Sequence, residues 1–509
     1  MSSRSAVLSI DQGTTGTTAL VVAQDGRVLA RAYSEFTQYF PEPGWVEHDA
    51  LEIWDVTKKV SRRALAEAGD EVSVEGVGIT NQRETVVLWD RQTLVPVHRA
   101  MVWQDRRTAS ICGELRDRGM EAEVRARTGL LLDPYFSGTK LTWLLRARPD
   151  LRKLAETGAL AMGTVDSWLI ARLTQGLVHA TDHTNASRTL LYNLSTRSWD
   201  QDLLGIFEVP AGLLPEVRAS SGIYGVTRGE ELGIEVPLGG VAGDQQAALF
   251  GQGCWEEGLA KNTYGTGAFL LLHTGAARVE SHSGLLTTMA CDEVGGPAYA
   301  LEGSVFIAGA AIQWLRDGLG IIDAAQDSEG LARSLRFNDG VYFVPAFVGL
   351  GAPHWDPHAR GTLVGLTRGT TRAHLARAAL EAMAYSTADV IRAMEQDSGV
   401  ATVELRVDGG AAMNDWLMQF QSGILGIPVR RPALVETTAL GAAGLAGLAT
   451  GVWTDGREFM AALGDASTFH PSMPEEDRSA LLAGWRRALA AAKTWSEWGR
   501  EQARPGAAK

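Results

Sequence analysis

Short apolar segments separated by glycine-containing turns open the chain, a pattern typical of a β-meander. Turn chemistry occupies 11–16, where glycines flank two threonines, and it occurs again at 24–26. Apolar spacing of the helical type follows, and then another strand-like segment. The predicted strands are 6–10, 19–23, 27–36 and 74–79, and the predicted helix is 50–68. Alternation of strands and helices favours an α/β fold.

A similar pattern recurs in the second half of the chain. A short apolar segment runs into a helix that we predict to begin near Gln245. A hairpin follows, with strands at 259–263 and 268–273 around a turn at 265–267. Two such hairpins indicate two related α/β domains that face one another, and we place these domains at 1–252 and 253–509.

Length and composition agree with two large globular domains. The chain has 509 residues, of which 45% are hydrophobic and 21% are charged. Its most apolar stretch, 439–450, is well short of the roughly 20 residues that a membrane span needs, so it predicts a buried helix and no membrane association. A net charge of −13 disfavours nucleic acid as a partner, because phosphate backbones attract basic surfaces.

Cysteine use and the N-terminal sequence bear on the compartment. Cys112, Cys254 and Cys291 are widely spaced and lie outside any C-x-x-C pattern. This argues against a disulfide framework and fits a reducing compartment. The first residues show no signal-peptide pattern. We therefore expect a cytoplasmic location.

Three glycine-rich turns, each after an apolar strand, are candidates for binding phosphate: 11–15, 265–267 and 408–410. Other common signatures are absent, since the sequence has no G-x-x-x-x-G-K-[ST], G-x-G-x-x-G or H-R-D motif. Glycine lets backbone N–H groups approach phosphate oxygens, and threonine hydroxyls add donors. Taken singly, each turn is more often an ordinary hairpin turn. Asp11, at a strand end, offers Mg²⁺ a hard oxygen ligand, directly or through water.

Asp244 stands at the predicted start of a helix, in the sequence GVAGDQQA. One interpretation is a helix N-cap, a position that aspartate favours. The other is a general base that accepts the proton of an attacking alcohol and is kept ionised by the helix dipole. The two interpretations are compatible. Because phosphoryl transfer passes through a loose transition state, positioning and charge neutralisation should matter more than proton removal.

The segment 79–85, with the sequence ITNQRET, ends a predicted strand with a dense set of donors and acceptors. An Arg83–Glu84 pair suits a polyol, whose hydroxyls both donate and accept, while a salt-bridged surface turn is the alternative. Trp103 and Phe269 are candidates to pack against the C–H face of such a substrate, although either aromatic is more often a core residue. Tyr135 offers one more hydroxyl.

These motifs belong to a resemblance that runs along almost the whole chain, from residue 8 to about 495. The sequences that carry it include SIDQGTT, GITNQRET, TDHTNASRTLLYN, AGDQQAALFGQ, KNTYGTG and LRVDGGAAMNDWLMQFQ. The chain resembles the FGGY family of carbohydrate kinases, within the actin, Hsp70 and sugar-kinase superfamily. The resemblance implies two actin-like (ribonuclease H-like) α/β domains with an ATP cleft between them. It also implies Mg²⁺-assisted transfer of the γ-phosphate of ATP to glycerol, and assembly as a homo-oligomer, a dimer or tetramer.

The resemblance assigns roles to the residues that match the family motifs. The glycerol contacts that it implies are Arg83, Glu84, Trp103, Tyr135, Asp244, Gln245 and Phe269, with Asp244 as the catalytic base and Mg²⁺ near Asp11. The nucleotide contacts that it implies are Thr14, Thr15, Gly16, Thr266, Gly309, Gln313, Gly410 and Asn414. Gly309, Gln313 and Asn414 come from the resemblance alone, because their segments have the pattern of ordinary helices.

Two positions depart from the family pattern. The first turn of the family usually continues to an arginine that helps to hold the phosphates, and Thr18 occupies that position here. A missing cation costs on the order of a few kcal/mol of transition-state stabilisation, unless another basic residue replaces it. Some bacterial members bind fructose 1,6-bisphosphate through a glycine loop. The equivalent segment here, 226–236, has the sequence VTRGEELGIEV, so we do not expect that inhibition.

Two alternatives remain open from the sequence. A kinase for another small polyol or ketose, such as erythritol or dihydroxyacetone, would share the fold, although Arg83, Glu84 and Trp103 favour the short triol. A catalytically weakened or regulatory protein would keep the fold and lose the reaction. Thr18 supports this second alternative, and the presence of Asp244 argues against it.

Overall fold

The computed structural model describes residues 4–502. Residues 1–3 and 503–509, at the outer ends of the two predicted domains, lie outside the described residues. Two mixed β-sheets organise the described chain, one built from its first half and one from its second half.

The first half contributes fourteen strands and ten α-helices to the described residues. The strands are β1 (Arg4–Gln12), β2 (Gly16–Ala23), β3 (Val28–Glu35), β4 (Glu47–His48), β5 (Val72–Asn81), β6 (Val87–Asp90), β7 (Ala100–Met101), β8 (Leu160–Gly163), β9 (Ala180–Asp182), β10 (Tyr192–Asn193), β11 (Ser198–Trp199), β12 (Glu216–Arg218), β13 (Ser221–Val226) and β14 (Pro237–Gly243). The helices are α1 (Ala50–Ala68), α2 (Ala109–Asp117), α3 (Glu121–Thr128), α4 (Ser137–Ala147), α5 (Pro149–Glu156), α6 (Val165–Leu173), α7 (His183–Ala186), α8 (Gln201–Ile206), α9 (Gly229–Leu232) and α10 (Asp244–Gly251).

The second half, as far as residue 502, adds nine strands and seven α-helices. The strands are β15 (Leu259–Tyr264), β16 (Ala268–Gly275), β17 (Leu286–Cys291), β18 (Pro297–Val305), β19 (Tyr342–Val344), β20 (Thr362–Val364), β21 (Glu404–Gly409), β22 (Val429–Arg431) and β23 (Ser467–Phe469). The helices are α11 (Gly309–Gln313), α12 (Asp327–Arg333), α13 (Arg372–Ser398), α14 (Asp415–Leu425), α15 (Thr437–Thr450), α16 (Gly456–Ala462) and α17 (Glu475–Gln502).

The first sheet has the strand order β13-β14-β5-β1-β2-β3. β1, β2 and β3 form the predicted antiparallel meander, while β5 and β14 run parallel to β1. The predicted turn at 11–16 was wrong at both ends, since only 13–15 lie outside the strands. Asp11 is extended because it pairs with Thr18 on one side and with Thr80 on the other. The second of these partners is distant in sequence, so local turn chemistry could not reveal it.

The second sheet has the strand order β17-β18-β16-β15-β21-β22-β23. Read from β18, its six strands repeat the order and the relative directions of the first sheet read from β3. In each sheet three antiparallel strands are followed by two parallel ones and a final antiparallel one. The two halves are therefore related α/β units, as the two hairpins predicted, and β17 is an added edge strand.

Helix α1 begins where the sequence predicts, because the Asp49 side chain caps it and accepts hydrogen bonds from the N–H groups of Leu51 and Glu52. Its apolar face packs on β2 and β3 of the first sheet, and the long helix α13 packs in the same way on β16 and β18 of the second. Each sheet thus has its own apolar core on the face covered by α1 or α13. The other face of each sheet is turned toward the helices that lie between the two halves.

Helices α10 and α15 pack against each other and join the two halves. Glycine permits close approach on both sides of α15: a Cβ at Gly441 would collide with the Ala247 carbonyl of α10, and one at Gly78 on β5 would collide with the Ala442 carbonyl of α15. The Ser9 hydroxyl on β1 also donates to the Ala439 carbonyl at 2.5 Å. The buried helix predicted at 439–450 is confirmed as α15. Within residues 4–502 no helix has the length and apolar character that crossing a membrane requires.

Because α15 comes from the second half of the chain and packs on the first sheet, the two halves share helices across their interface. The boundary between 252 and 253 lies in the loop between α10 and β15 and stays a prediction. Cys112, Cys254 and Cys291 are free thiols buried within the fold.

Candidate active site

The first glycine turn closes the β1–β2 hairpin. The Gly13 N–H donates to the Gly16 carbonyl at 2.9 Å, so the chain folds tightly around Thr14 and Thr15. A Cβ at Gly16 would lie 2.8 Å from the backbone carbonyl oxygen of Ser34, and this position therefore favours glycine. Thr15 is exposed and Thr14 is half-buried. The turn thus offers threonine hydroxyls at the open end of the sheet, an arrangement that suits phosphate oxygens.

Asp11 lies at the base of this turn, directly across the strand pair from Thr18. Burial and the negative charge of Asp244 raise the pKa of the Asp11 carboxyl to about 7. No cation among the described residues counters this rise. The base of the first turn is therefore short of positive charge, which an arginine at position 18 or a bound cation would supply.

The second glycine turn is joined to helix α11. The Thr266 carbonyl accepts from the N–H groups of Ala308 at 2.8 Å and Ala310 at 3.1 Å, and the Gly309 N–H donates to the Gly265 carbonyl at 3.0 Å. A Cβ at Gly309 would lie 2.6 Å from that carbonyl, so only glycine fits there. The structure thus brings together Thr266 and Gly309, two residues assigned by resemblance. Gln313 is exposed at the other end of α11, roughly 6 Å along the helix.

The third glycine turn lies beside the second, because Gly409 at the end of β21 is in register with Tyr264 of β15. Gly409 has φ 83°, a left-handed conformation that favours glycine. Gly410 follows and is exposed. The Asn414 side chain caps helix α14 and accepts from the Leu417 N–H at 2.9 Å. Asn414 therefore has a structural role, and its amide NH₂ group is left for a further partner.

Arg83 and Glu84 are buried, with 3% and 1% of their surfaces exposed, so the interpretation as a salt-bridged surface turn was wrong. Glu84 has φ 64°, a left-handed conformation that is rare for glutamate and is often found at functional sites. The Arg83 guanidinium bonds Glu302 with Nη1–Oε2 at 2.6 Å, and its Nε lies 3.2 Å from Asp244 Oδ1. Arg83 thus links the candidate base to a strand of the second sheet.

Arg188 and Glu302 complete this network and were missed by sequence reasoning. Arg188 Nε donates to Glu84 Oε1 at 2.7 Å, and its Nη2 donates to Glu302 Oε1 at 3.0 Å. Burial alone would raise the pKa of Glu302, but the Arg188 and Arg83 guanidiniums outweigh it and lower the pKa to about 2. Arg188 lies in the sequence TNASRT, which carried part of the resemblance without an assigned chemistry. Glu302 is the one charged residue in the apolar sequence of β18, and this was the only feature of the sequence that could have indicated a functional role.

Asp244 is the first residue of α10, and Gly243 occupies the cap position. The N-cap interpretation is therefore wrong by one residue, although Asp244 Oδ1 still accepts from the Gln245 N–H at 2.7 Å. Its side chain is 32% exposed, in contrast to Arg83 beside it. The Asp244 carboxylate is thus open to a ligand on one side and held by a buried guanidinium on the other.

Trp103 and Tyr135 meet edge to face, with ring centroids 5.5 Å apart. The Trp103 indole Nε1 donates to Thr14 Oγ1 at 2.9 Å, which ties the aromatic pair to the first turn. Both side chains are half-buried rather than part of the core, as is Phe269 on β16. Burial raises the pKa of Tyr135, so its hydroxyl stays protonated and can donate a hydrogen bond.

Gln245 follows Asp244 and is half-buried. Its side-chain oxygen accepts a hydrogen bond from Lys261, a lysine on β15 that sequence reasoning also missed. Among residues 4–502 no group of three or more His, Cys, Asp or Glu side chains is arranged to hold a metal ion. A Mg²⁺ ion at Asp11 would therefore take its other ligands from phosphate and water.

The duplicated sheets and the three glycine turns define a two-domain α/β fold of the actin-like type. The sequence matches the N-terminal domain of the FGGY family of carbohydrate kinases over residues 6–251, and the C-terminal domain of the same family over residues 260–450. The chain belongs to this family of carbohydrate kinases.

Proteins named glycerol kinase are similar to the chain over nearly its whole length. The glycerol kinase of Petrotoga mobilis is 55% identical over 492 residues, which cover 96% of this chain and 99% of that protein. The glycerol kinase of Deinococcus radiodurans is 55% identical over 498 residues, with coverage of 98% and 99%.

Solved structures show the same fold. The crystal structure of Plasmodium falciparum glycerol kinase with ADP superposes with a TM-score of 0.92 at 34% identity, covering 96% of this chain and 98% of that one. A gluconate kinase from Lactobacillus acidophilus has a TM-score of 0.87 at 21% identity, with coverage of 97% and 99%. This second similarity concerns the fold alone.

Proposed function

We propose that this protein phosphorylates glycerol with ATP and releases sn-glycerol 3-phosphate and ADP. The observation that carries the proposal is the position of Asp244, half-open and bonded to buried Arg83, within electrostatic reach of Asp11 at the first turn. Near full-length similarity to proteins named glycerol kinase supports the same reaction.

Arg83 and Glu84 are the proposed partners of the glycerol hydroxyls. Arg188 and Glu302 hold both side chains rigid before any ligand arrives. A polyol that binds there loses little free energy to side-chain ordering, because the site is already organised. In our proposal Trp103 and Phe269 pack against its C–H groups, and the Tyr135 hydroxyl donates to it. The small number of donors suits a three-carbon substrate.

The proposed chemistry is direct transfer in one step. The oxygen of a terminal glycerol hydroxyl attacks the γ-phosphorus, and the bond from that phosphorus to the β,γ-bridging oxygen breaks, leaving its electron pair on ADP. The hydroxyl proton passes to the free oxygen of Asp244. Since the transition state is loose, holding the two substrates in line contributes more than proton removal.

The three turns are the proposed nucleotide site. Thr14, Thr15 and Gly16 would hold phosphates from the first sheet, and Thr266 with Gly309 would hold them from the second. Gln313, Gly410 and Asn414 lie beyond the second turn and would contact the nucleoside. Closure of the two halves over ATP would exclude water that otherwise hydrolyses it.

Mg²⁺ fits the residues present. Asp11 is a hard oxygen donor with no cationic partner among the described residues, and its raised pKa reflects that shortage of positive charge. Asp11 would hold the ion directly or through water, and a bound Mg²⁺ would neutralise phosphate charge. Thr18 offers no charge to compete with it.

The test is a coupled ADP-release assay with ATP and Mg²⁺, with and without glycerol. We expect turnover that depends on glycerol, and lower turnover when erythritol, xylulose or dihydroxyacetone replaces glycerol. A clear preference for one of these would assign another substrate to the site. Absence of turnover with all four would contradict the proposal and favour a regulatory role.

Assembly and location remain predictions. A homo-oligomer, dimer or tetramer, would be seen by analytical ultracentrifugation at several protein concentrations. A cytoplasmic location would be tested by fractionation of cells that express the full chain.

A further inference from the structure

Lys261 is a fully buried lysine to which the proposed reaction assigns no role. It lies on β15, and none of its surface is exposed. A buried ammonium costs free energy unless protein groups replace its hydration, so its contacts carry information about its purpose. Burial lowers the pKa of Lys261, whereas the nearby carboxylates act in the opposite direction and favour the charged form.

The hydrogen bonds of Lys261 point to Gln245. Its Nζ donates to the Gln245 side-chain oxygen and, at 2.8 Å, to Thr263 Oγ1. An ammonium has only donors, so the amide oxygen of Gln245 must face it and the amide NH₂ must face away. That NH₂ group donates no hydrogen bond to any of the described residues. Lys261 therefore leaves one oriented donor free, one residue after the candidate base.

The charges that face Lys261 come from four separate elements. They are Asp244 on α10, Arg83 after β5, Glu302 on β18 and Asp408 on β21. Asp408 is itself buried, and its Oδ1 has no hydrogen-bond partner among the described residues. The ammonium thus lies among three carboxylates and one guanidinium, where it balances charge between the two sheets.

Lys261 also shares a sheet face with the substrate side. Thr263, which accepts from Lys261, is directly opposite Phe269, the aromatic proposed to pack against glycerol. Since side chains two apart on a strand point the same way, Lys261 and Thr263 face the same region as Phe269. Lys261 lies beneath this region rather than in it.

We propose that Lys261 is a positioning residue for the acceptor: it fixes the Gln245 amide so that its NH₂ donates to a substrate hydroxyl while Asp244 accepts from the attacking one. This inference rests on the proposed function. It also locates a buried cation in the acceptor half of the cleft.

The test compares Lys261→Met, Gln245→Ala and the double variant in steady-state kinetics and in glycerol titrations by calorimetry. If Lys261 acts through Gln245, Lys261→Met lowers kcat/KM for glycerol by about 10- to 100-fold and leaves KM for ATP within about twofold. The double variant is then no worse than the more impaired single variant, because both changes remove the same contact.

Lys58→Met is the matched control. Lys58 lies on α1, away from the three glycine turns, and its Nζ is 2.9 Å from Glu231 Oε2. Removal of the Lys58 ammonium should therefore leave the kinetics unchanged. If Lys261→Met does not fold, Lys261→Arg serves instead: it keeps the charge, displaces the donor and should show a smaller loss of the same kind.

Losses that add in the double variant, or equal losses in the glycerol and ATP parameters, would overturn the role of Lys261. These outcomes differ from failure of the proposed function, in which the unchanged protein shows no glycerol-dependent turnover. In that case the calorimetric cycle still decides whether Lys261 acts on glycerol binding.

Discussion

The proposed acceptor end and the proposed phosphate end of the cleft balance their charges in different ways. At the acceptor end Arg83, Arg188, Glu84 and Glu302 are buried and paired with one another. At the phosphate end Asp11 has no cationic partner among the described residues, and its pKa rises to about 7. At the acceptor end two guanidiniums lower the pKa of Glu302 to about 2, although burial raises the pKa of Glu84 beside it, whereas at the phosphate end no cation opposes the rise in the pKa of Asp11 among the described residues.

This difference shows which parts of the site exist before ligands bind. The acceptor end is complete in the free protein, because its charges come from the chain itself. In our proposal the phosphate end is completed by what binds there, since ATP would bring negative charge and Mg²⁺ would bring positive charge. Selectivity for the acceptor should therefore be a property of the protein, while occupancy of the turns should depend on the ion.

The largest effect is expected for Asp244→Asn. The amide keeps the shape but accepts no proton, so kcat should fall by roughly 10²–10⁴-fold, with glycerol affinity within about threefold. Single-turnover kinetics and calorimetry measure the two quantities separately. Asp150→Asn, the same change at an exposed ion pair with Arg148, is the matched control and should leave kcat unchanged. An unchanged kcat would remove Asp244 from the role of base.

Arg83→Ala should break the acceptor end. It leaves Glu302 with one cation fewer, and loss of one partner from a buried ion network costs about 3–5 kcal/mol. We expect a rise in KM for glycerol of roughly 100-fold and a lower midpoint of thermal unfolding. Loss of ATP binding with glycerol binding intact would show that Arg83 serves the other end of the cleft. Arg63→Ala, at an exposed ion pair with Glu67 on α1, is the control.

Thr18→Arg should give the phosphate end a paired carboxylate and guanidinium, as at the acceptor end. The guanidinium would lie across the strand pair from Asp11 and supply the missing charge. We expect kcat/KM for ATP to rise by roughly tenfold, in keeping with a single electrostatic donor. Thr18→Leu controls for size and should give no gain. An unchanged or lower value in Thr18→Arg would show that the turn already has the charge that it needs.

The smallest effect concerns Asp11 and pH. Its pKa is raised from 3.8 to about 7 in the folded, ligand-free chain, so between these values the folded state holds a proton that the unfolded state has released. The contribution of this group to stability therefore decreases as pH rises from about 4 to 7. Asp11→Asn removes this decrease and should narrow the difference in unfolding midpoint between pH 5 and pH 8 by roughly 1–3 °C. Calorimetry without nucleotide checks it, and an unchanged difference would contradict the assignment.

Local patterns predicted much of the fold. Helix α1 was predicted at its observed bounds because Asp49 caps it and its apolar spacing is regular. The two hairpins were predicted from glycine turns between apolar runs. The ends of the first turn were wrong, because pairing of Asp11 with Thr80 extends the strand, and that partner lies 69 positions away.

The site was predicted less evenly. Asp244 and the Arg83–Glu84 pair could be found from residue chemistry, and Gln313 and Asn414 only by resemblance. Arg188, Glu302 and Lys261 were not found, since each is one charged residue in a segment whose pattern is otherwise that of a helix end or a strand. Only their contacts with residues far along the chain give them a role.

By itself the sequence determined the local conformations: the strands, the tight turns that need glycine, and a carboxylate at a helix start. The tertiary structure alone decided which charges meet. Glu302 reaches Arg83 across 219 positions of chain, and the pair can be buried only because each neutralises the other in a medium of low dielectric constant. No local sequence pattern predicts this ion pair, because the free energy of forming it depends on the residues that surround it once both sheets have formed.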